Sequence, residues 1–311
     1  MAARGLATAP GGVRRGTYSI VAHDAVTGEL GVAVQSHWFG VGAVVAWARP
    51  GVGAVATQSV AEVTHGPNAL DALQRGLRAE DAIAEVLRVD ELARYRQLGV
   101  VDAHGRAVSY TGSDCIPHAG DASGEGFACQ ANMMAGETVP GAMAAAYDPH
   151  DGDLAERLLA ALDAAEAAGG DVRGRQSAAL LVVPADGEPW RTRFDVRVED
   201  HAAPLVELRR LVRLARAYEM AGQADERSAE GAHAEATRLY LAAAELAPEA
   251  DELTFWAGLG VAAGDLDAGL ELVRRAAAIK PAWLTLLDRL SDELAPSAEA
   301  VRQAIRADAG R

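Results

Sequence analysis

The stretch Asp171-Val-Arg173-Gly-Arg175-Gln176-Ser177 sets two guanidinium groups, an amide and a hydroxyl immediately before an almost entirely apolar run. Such a set can fork onto a substrate carboxylate, because a planar guanidinium donates two parallel hydrogen bonds. Arg173, Arg175, Gln176 and Ser177 are therefore candidate substrate-binding residues. The same stretch also reads as a loop packed by ion pairs between Asp171 and its arginines.

Other chemistries are excluded by residue type. The sole lysine is Lys280, so the first 279 positions offer no amine side chain for a Schiff base, a phosphate loop or a Ser-Lys dyad. The histidines, at 23, 37, 65, 104, 118, 150, 201 and 233, show no paired metal-ligand spacing. Cys115 and Cys129 are the only thiols, too few for a disulfide framework or a metal cluster. Neither a metal nor a cofactor is expected.

The elements that must position these groups follow from hydropathy patterning. Residues 1–16 are rich in Gly, Ala and Arg without periodicity and read as a disordered leader. Residues 17–22 and 30–36 form a hairpin about the turn residues Asp24 to Gly28, and runs 43–48 and 53–58 add two more strands. Gly66-Pro67-Asn68 punctuates, and helices follow over 69–77 and 79–87. A second hairpin is expected at 95–102 and 106–111, a strand at 126–133, helices at 139–147 and 154–168, and strands at 176–183 and 192–198. Strands, a helix pair, strands, a helix pair and strands fit two stacked sheets, each with helices outside. The expected class is α+β, a four-layer αββα sandwich.

Behind it, residues 204–220 form an amphipathic helix that the small and charged residues 222–231 end. Helices over 233–246, 251–263, 266–279 and 281–290 follow. Ala-Ala-Ala-Glu-Leu-Ala-Pro248 is echoed by Arg-Arg-Ala-Ala-Ala-Ile-Lys-Pro281, 33 residues on. That spacing is near the roughly 34-residue tetratricopeptide period. The division expected is a leader at 1–16, a sandwich domain at 17–221 and an all-α helical-repeat tail at 222–311.

The segments Gly16-Thr17-Tyr18-Ser19-Ile20-Val21-Ala22, Thr27 to Gln35, Gly51-Val-Gly-Ala-Val-Ala-Thr-Gln58, Gly66-Pro67, Gly124-Glu-Gly126 and Gly169 to Ala178 together resemble the domain of unknown function 1028 family, whose fold is like that of N-terminal-nucleophile (Ntn) hydrolases. The resemblance covers roughly residues 17–215. It implies that Thr17, where members of the family begin, is a nucleophile once it carries a free α-amine. Here sixteen residues precede Thr17, so cleavage after Gly16 or a later start is needed.

An N-terminal threonine can be activated by its own amine, whose ordinary pKa of about 7.7–8.0 is near neutrality. The hydroxyl then attacks an amide carbonyl, and donors must meet the oxyanion. Asn132 is the first candidate donor, with Gln58 and Ser59 behind it, and Ser36-His37 closes a strand that can lie beside Thr17. Asn132 and His37 also read as ordinary strand-end residues, and Thr17 as the mere start of a strand.

The expected function is thus an amidohydrolase acting on a small amino-acid-like or peptide-like amide. The alternative is a non-catalytic scaffold that binds protein or cell wall through its tail. A peptide or a second copy of the chain, giving a homo-oligomer, is the expected partner of the tail. The net charge of −15 argues against nucleic acid, which needs clustered Lys and Arg. No apolar run approaches the roughly 20 residues of a membrane helix, and neither a membrane nor any compartment but the cytoplasm is expected.

Overall fold

The computed structural model describes residues 16–148 and 151–309. The expected leader lies, but for Gly16, outside the described residues.

Strands β1 (Thr17–His23) and β2 (Leu30–Ser36) pair antiparallel, with Thr17 opposite Ser36 and His23 opposite Leu30. Asp24 sets the turn, its carboxylate accepting from the amides of Val26 and Thr27 at 2.8 and 3.0 Å. The chain then makes a short helix α1 (Gly42–Val45), strand β3 (Ala46–Arg49) and strand β4 (Gly53–Ser59). The expected strand at 43–48 is corrected here, since half of that apolar run is helical. A Cβ on Gly42 would stand 2.5 Å from Ala179 Cβ, so helix and sheet meet too closely for any other residue.

Helices α2 (His65–Gln74) and α3 (Ala79–Leu87) follow. Gly66-Pro67-Asn68, expected to punctuate, lies inside the first turn of α2. Proline is tolerated there because its missing N–H has no partner to lose. Gly66 is demanded by packing, since a Cβ would fall 2.3 Å from Trp47 Cδ1. Strands β5 (Arg96–Asp102), β6 (Ala107–Thr111), β7 (Gly120–Gly124) and β8 (Phe127–Asn132) come next. Strand β7 has no apolar alternation and is not legible in the sequence. Helices α4 (Val139–Tyr147) and α5 (Leu154–Ala167), then strands β9 (Ser177–Val183) and β10 (Phe194–Val198), complete this part.

The strands form two antiparallel sheets, one six-stranded in the order β10-β9-β2-β1-β8-β7 and one four-stranded in the order β3-β4-β5-β6. They face each other across a core that includes Val21, Val32, Val34, Ala54, Ala56, Val101 and Leu181. Helices α2 and α3 pack on the four-stranded sheet, through Leu70, Leu73, Ile83 and Val86. Helix α5 packs on β1, β2 and β9, and α4 on β7 and β8. Each sheet thus buries one face against the other and one against helices, which accounts for the nearly unbroken apolar runs in β2 and β9.

The chain divides into two compact units, the first ending at Arg209 and the second running from Arg210 to Arg311. Helix α6 (Pro204–Ala229) carries the boundary and continues through Gly222, where a break was expected. The turn comes instead at Gly231, with φ of 80°. The second unit is all helical: α7 (His233–Leu246), α8 (Asp251–Ala262), α9 (Leu266–Ile279), α10 (Ala282–Leu287) and α11 (Ala298–Ala309). Its glycines permit close approach, since a Cβ on Gly258 would lie 2.9 Å from Gly269 O, and one on Gly260 would lie 2.3 Å from the Tyr240 ring. Among the described residues no helix is long and apolar enough to cross a membrane.

Candidate functional site

Strand β1 starts between β2 and β8, so Thr17 has Ser36 on one side and Asn132 on the other. Successive side chains of a strand point to opposite faces. Thr17 and Ser19 face the opposing sheet. Tyr18 faces α5, where its hydroxyl donates to Glu166 Oε2 at 2.7 Å. Thr17 is 1% exposed. Its Oγ1 donates to Ser36 Oγ at 3.0 Å, and Ser36 Oγ in turn donates to the carbonyl oxygen of Gly16 in a short bond. Arg173 Nη2 donates to the same oxygen at 2.8 Å. The carbonyl preceding Thr17 is thus held by two donors, and one of them also receives the Thr17 hydroxyl.

Below this point the sheets enclose a polar network. Gln58 Nε2, from β4, lies 3.3 Å from Thr17 O and 2.8 Å from Gln97 Oε1. Asn132 Nδ2 lies 3.4 Å from Thr17 O and 2.9 Å from the same Gln97 oxygen. The Ser19 hydroxyl stands 2.7 Å from Gln58 Oε1 and 3.0 Å from Gln130 Oε1. Gly99 makes room for this, because a Cβ there would lie 1.8 Å from Gln130 Nε2. Asn132 Oδ1 is buried and accepts nothing from the described residues.

The loop after α5 closes the top. The Asp171 side chain is fully buried and held by Arg173 Nη2 at 2.7 Å, Arg173 Nε at 3.0 Å, the Arg173 amide at 2.9 Å and the His37 amide at 3.1 Å. Its carboxylate lies against Gly16, whose missing Cβ would fall 2.8 Å from both Asp171 oxygens. Gly16 does not adopt the left-handed region, so the contact with Asp171, not backbone strain, demands glycine there.

Of the residues singled out from the sequence, Thr17, Ser36, Gln58, Asn132 and Arg173 come together. His37 is exposed; its amide holds Asp171, while its ring Nδ1 lies 3.3 Å from Arg175 O. Ser59 is buried at the end of β4 with φ of 73°, beyond Gln58. The Arg175 guanidinium pairs with Glu166, Gln176 Nε2 donates to Asp200 Oδ1 at 3.2 Å, and Ser177 binds Trp38 O and the Val41 amide. Those three side chains therefore brace the loop around β9. Gln97, Gln130 and Ser19 belong to the network but were not singled out. Their one legible signal is a polar residue within an apolar strand.

A second buried polar cluster lies beyond the four-stranded sheet. Asp90 accepts from Arg96 Nε at 2.7 Å and pairs with His65 Nε2 at 2.8 Å, beside an open cleft that Glu62, Asp71 and Arg75 help to line. Burial works against the Asp90 charge, but the hydrogen bonds from Arg96, His65 and the Leu92 amide outweigh it and hold its pKa at about 2.

Residues 17–208 match the family described as "Family of unknown function (DUF1028)", and the chain belongs to it. It is similar to a solved structure, protein SPO2555 from Silicibacter pomeroyi, described with the same family. The identity is 35% and the TM-score 0.60, with 64% of this chain and 86% of that one covered. Among curated proteins, none matches.

Proposed function

We propose that the chain is an Ntn amidohydrolase on a four-layer αββα fold, with Thr17 as nucleophile after the Gly16–Thr17 bond is cut. One observation carries the reading: the Gly16 carbonyl oxygen is gripped by Ser36 Oγ and Arg173 Nη2 while the Thr17 hydroxyl donates to Ser36. That is the arrangement a self-cleavage needs. Attack of Oγ1 on the Gly16 carbon puts negative charge on an oxygen that already faces two donors, and such donors lower the barrier in acyl transfer. The carbon–nitrogen bond then breaks as the hydroxyl proton passes to the Thr17 nitrogen, which frees the amine as the ester forms. Water hydrolyses the ester to release the leader and restore the hydroxyl.

In the mature protein that amine takes the hydroxyl proton and passes it to the leaving nitrogen of a small amino-acid-like or peptide-like amide. Asn132 Oδ1, buried and without a donor, is an acceptor available to this amine or to a substrate N–H. Asn132 Nδ2 and Gln58 Nε2 hold the Thr17 carbonyl and so fix the nucleophile's backbone.

The burial of Thr17 beneath an intact Gly16 favours a second reading, a non-catalytic scaffold that acts through its helices. Under either reading the tail is a tetratricopeptide-like array whose partner is a peptide or a second copy of the chain. Hydrolysis separates the two. Wild-type protein with its terminus at Thr17 is expected to hydrolyse amides, and Thr17→Ala to lose this by about 10⁴-fold or more, as when a triad nucleophile is removed. Equal rates for wild type and Thr17→Ala contradict the mechanism.

A further inference from the structure

From the wall that Asp171 builds against Gly16 we infer that the site accepts acyl groups whose α-carbon bears no side chain, that is, glycyl amides. This rests on the amidohydrolase reading of Thr17. The ester formed in self-cleavage is the Gly16 acyl group on Thr17 Oγ1 with the Thr17 amine free. The acyl-enzyme formed from a substrate has the same connectivity, a substrate acyl group on the same oxygen beside the same amine. The two intermediates therefore share their surroundings, and what bounds the α-carbon of one bounds that of the other.

That boundary is rigid. A Cβ on Gly16 would fall 2.8 Å from each Asp171 oxygen and 2.9 Å from its carboxyl carbon. A flexible carboxylate could swing aside, but this one accepts from the side chain and amide of Arg173 and from the amide of His37. Moving it would unpair a buried charge, so the slot stays closed to a methyl group. Arg173 couples wall to chemistry, because the guanidinium that pins Asp171 also donates to the acyl oxygen at 2.8 Å.

The reaction balances as hydrolysis. Thr17 Oγ1 bonds to the glycyl carbonyl carbon while its proton passes to the Thr17 amine. The carbon–nitrogen bond then breaks as that proton moves to the leaving amine. Water cleaves the ester, returning a proton to Oγ1 and releasing a glycyl carboxylate.

The test compares N-acetylglycyl-p-nitroanilide with N-acetyl-L-alanyl-p-nitroanilide on protein matured to a Thr17 terminus, with Thr17→Ala produced to begin at the same position as control. The expected kcat/KM favours the glycyl compound by about tenfold or more, the size of effect an overpacked methyl produces. In Asp171→Ala both rates fall, but the ratio between them moves toward one. Should wild type cleave both compounds equally while Thr17→Ala cleaves neither, the glycyl slot is overturned and the amidohydrolase reading stands. Should neither compound be cleaved, or should Thr17→Ala cleave them as wild type does, the amidohydrolase reading is overturned and the slot with it.

Discussion

A buried amide or hydroxyl left without a partner costs about 1–3 kcal/mol, so the polar groups between the sheets must bond to one another. Gln58, Gln97, Gln130, Asn132 and Ser19 do so except at Asn132 Oδ1, and two of the bonds, from Gln58 and Asn132, reach the Thr17 carbonyl. Thr17, Ser36, Gln58 and Asn132 were legible because a family resemblance pointed to the first and strand ends to the others. Gln97 and Gln130 were not, because Gln130 bonds to Ser19, 111 positions away, and no local pattern reports such a partner. Arg175, Gln176 and Ser177 share a motif with Arg173, yet only backbone geometry decides which guanidinium turns inward. Asp90 gives a prediction at this scale. Its pKa is depressed from 3.8 to about 2, so the stability it contributes is present above about pH 4 and lost as pH falls toward 2. Asp90→Asn is expected to cost about 1.5–3 kcal/mol at neutral pH, because Arg96 and His65 lose a charged acceptor. Urea unfolding at pH 7 and pH 3 checks this, with a smaller gap between the two pH values in the variant than in wild type.

Elements with regular periodicity were read closely: β2, α3, α4, α7 and α9 have the bounds that apolar spacing implies. Two of the departures concern glycines that suggest breaks but lie within helices. Gly66 lets α2 lie on Trp47, and Gly222 sits within α6 with nothing within 4 Å of where its Cβ would be. Such a glycine costs a helix about 1 kcal/mol, which tertiary packing on either side can outweigh. Around that residue Leu214, Ala217 and Ala221 of α6 pack with Ala247 and Leu253, and Ala224 packs with Tyr240. A fragment beginning at residue 222 should therefore be less stable than one beginning at 210. The lost packing is worth about 2 kcal/mol, or roughly 10 °C in Tm for a domain of this size. Melting both fragments by circular dichroism checks it, and identical midpoints would show that the front of α6 adds nothing to the helical unit.

The whole molecule joins a two-sheet unit, which the family match covers over residues 17–208, to a helical unit that lies outside the match. The order of strands and helices makes the two antiparallel sheets legible in the sequence, because few other packings bury so many apolar strands. The pairing of β1 with β8 was not legible, although it brings Asn132 to Thr17, since more than a hundred residues separate the two strands. The proposed function requires the Gly16–Thr17 bond to be cut. Intact mass of the purified full-length protein tests it most directly. Wild type is expected to show a mass that begins at Thr17, and Thr17→Ala to retain the leader. A wild-type protein that keeps Gly16 after prolonged incubation, with a mass beginning at Met1 or Ala2, would contradict it.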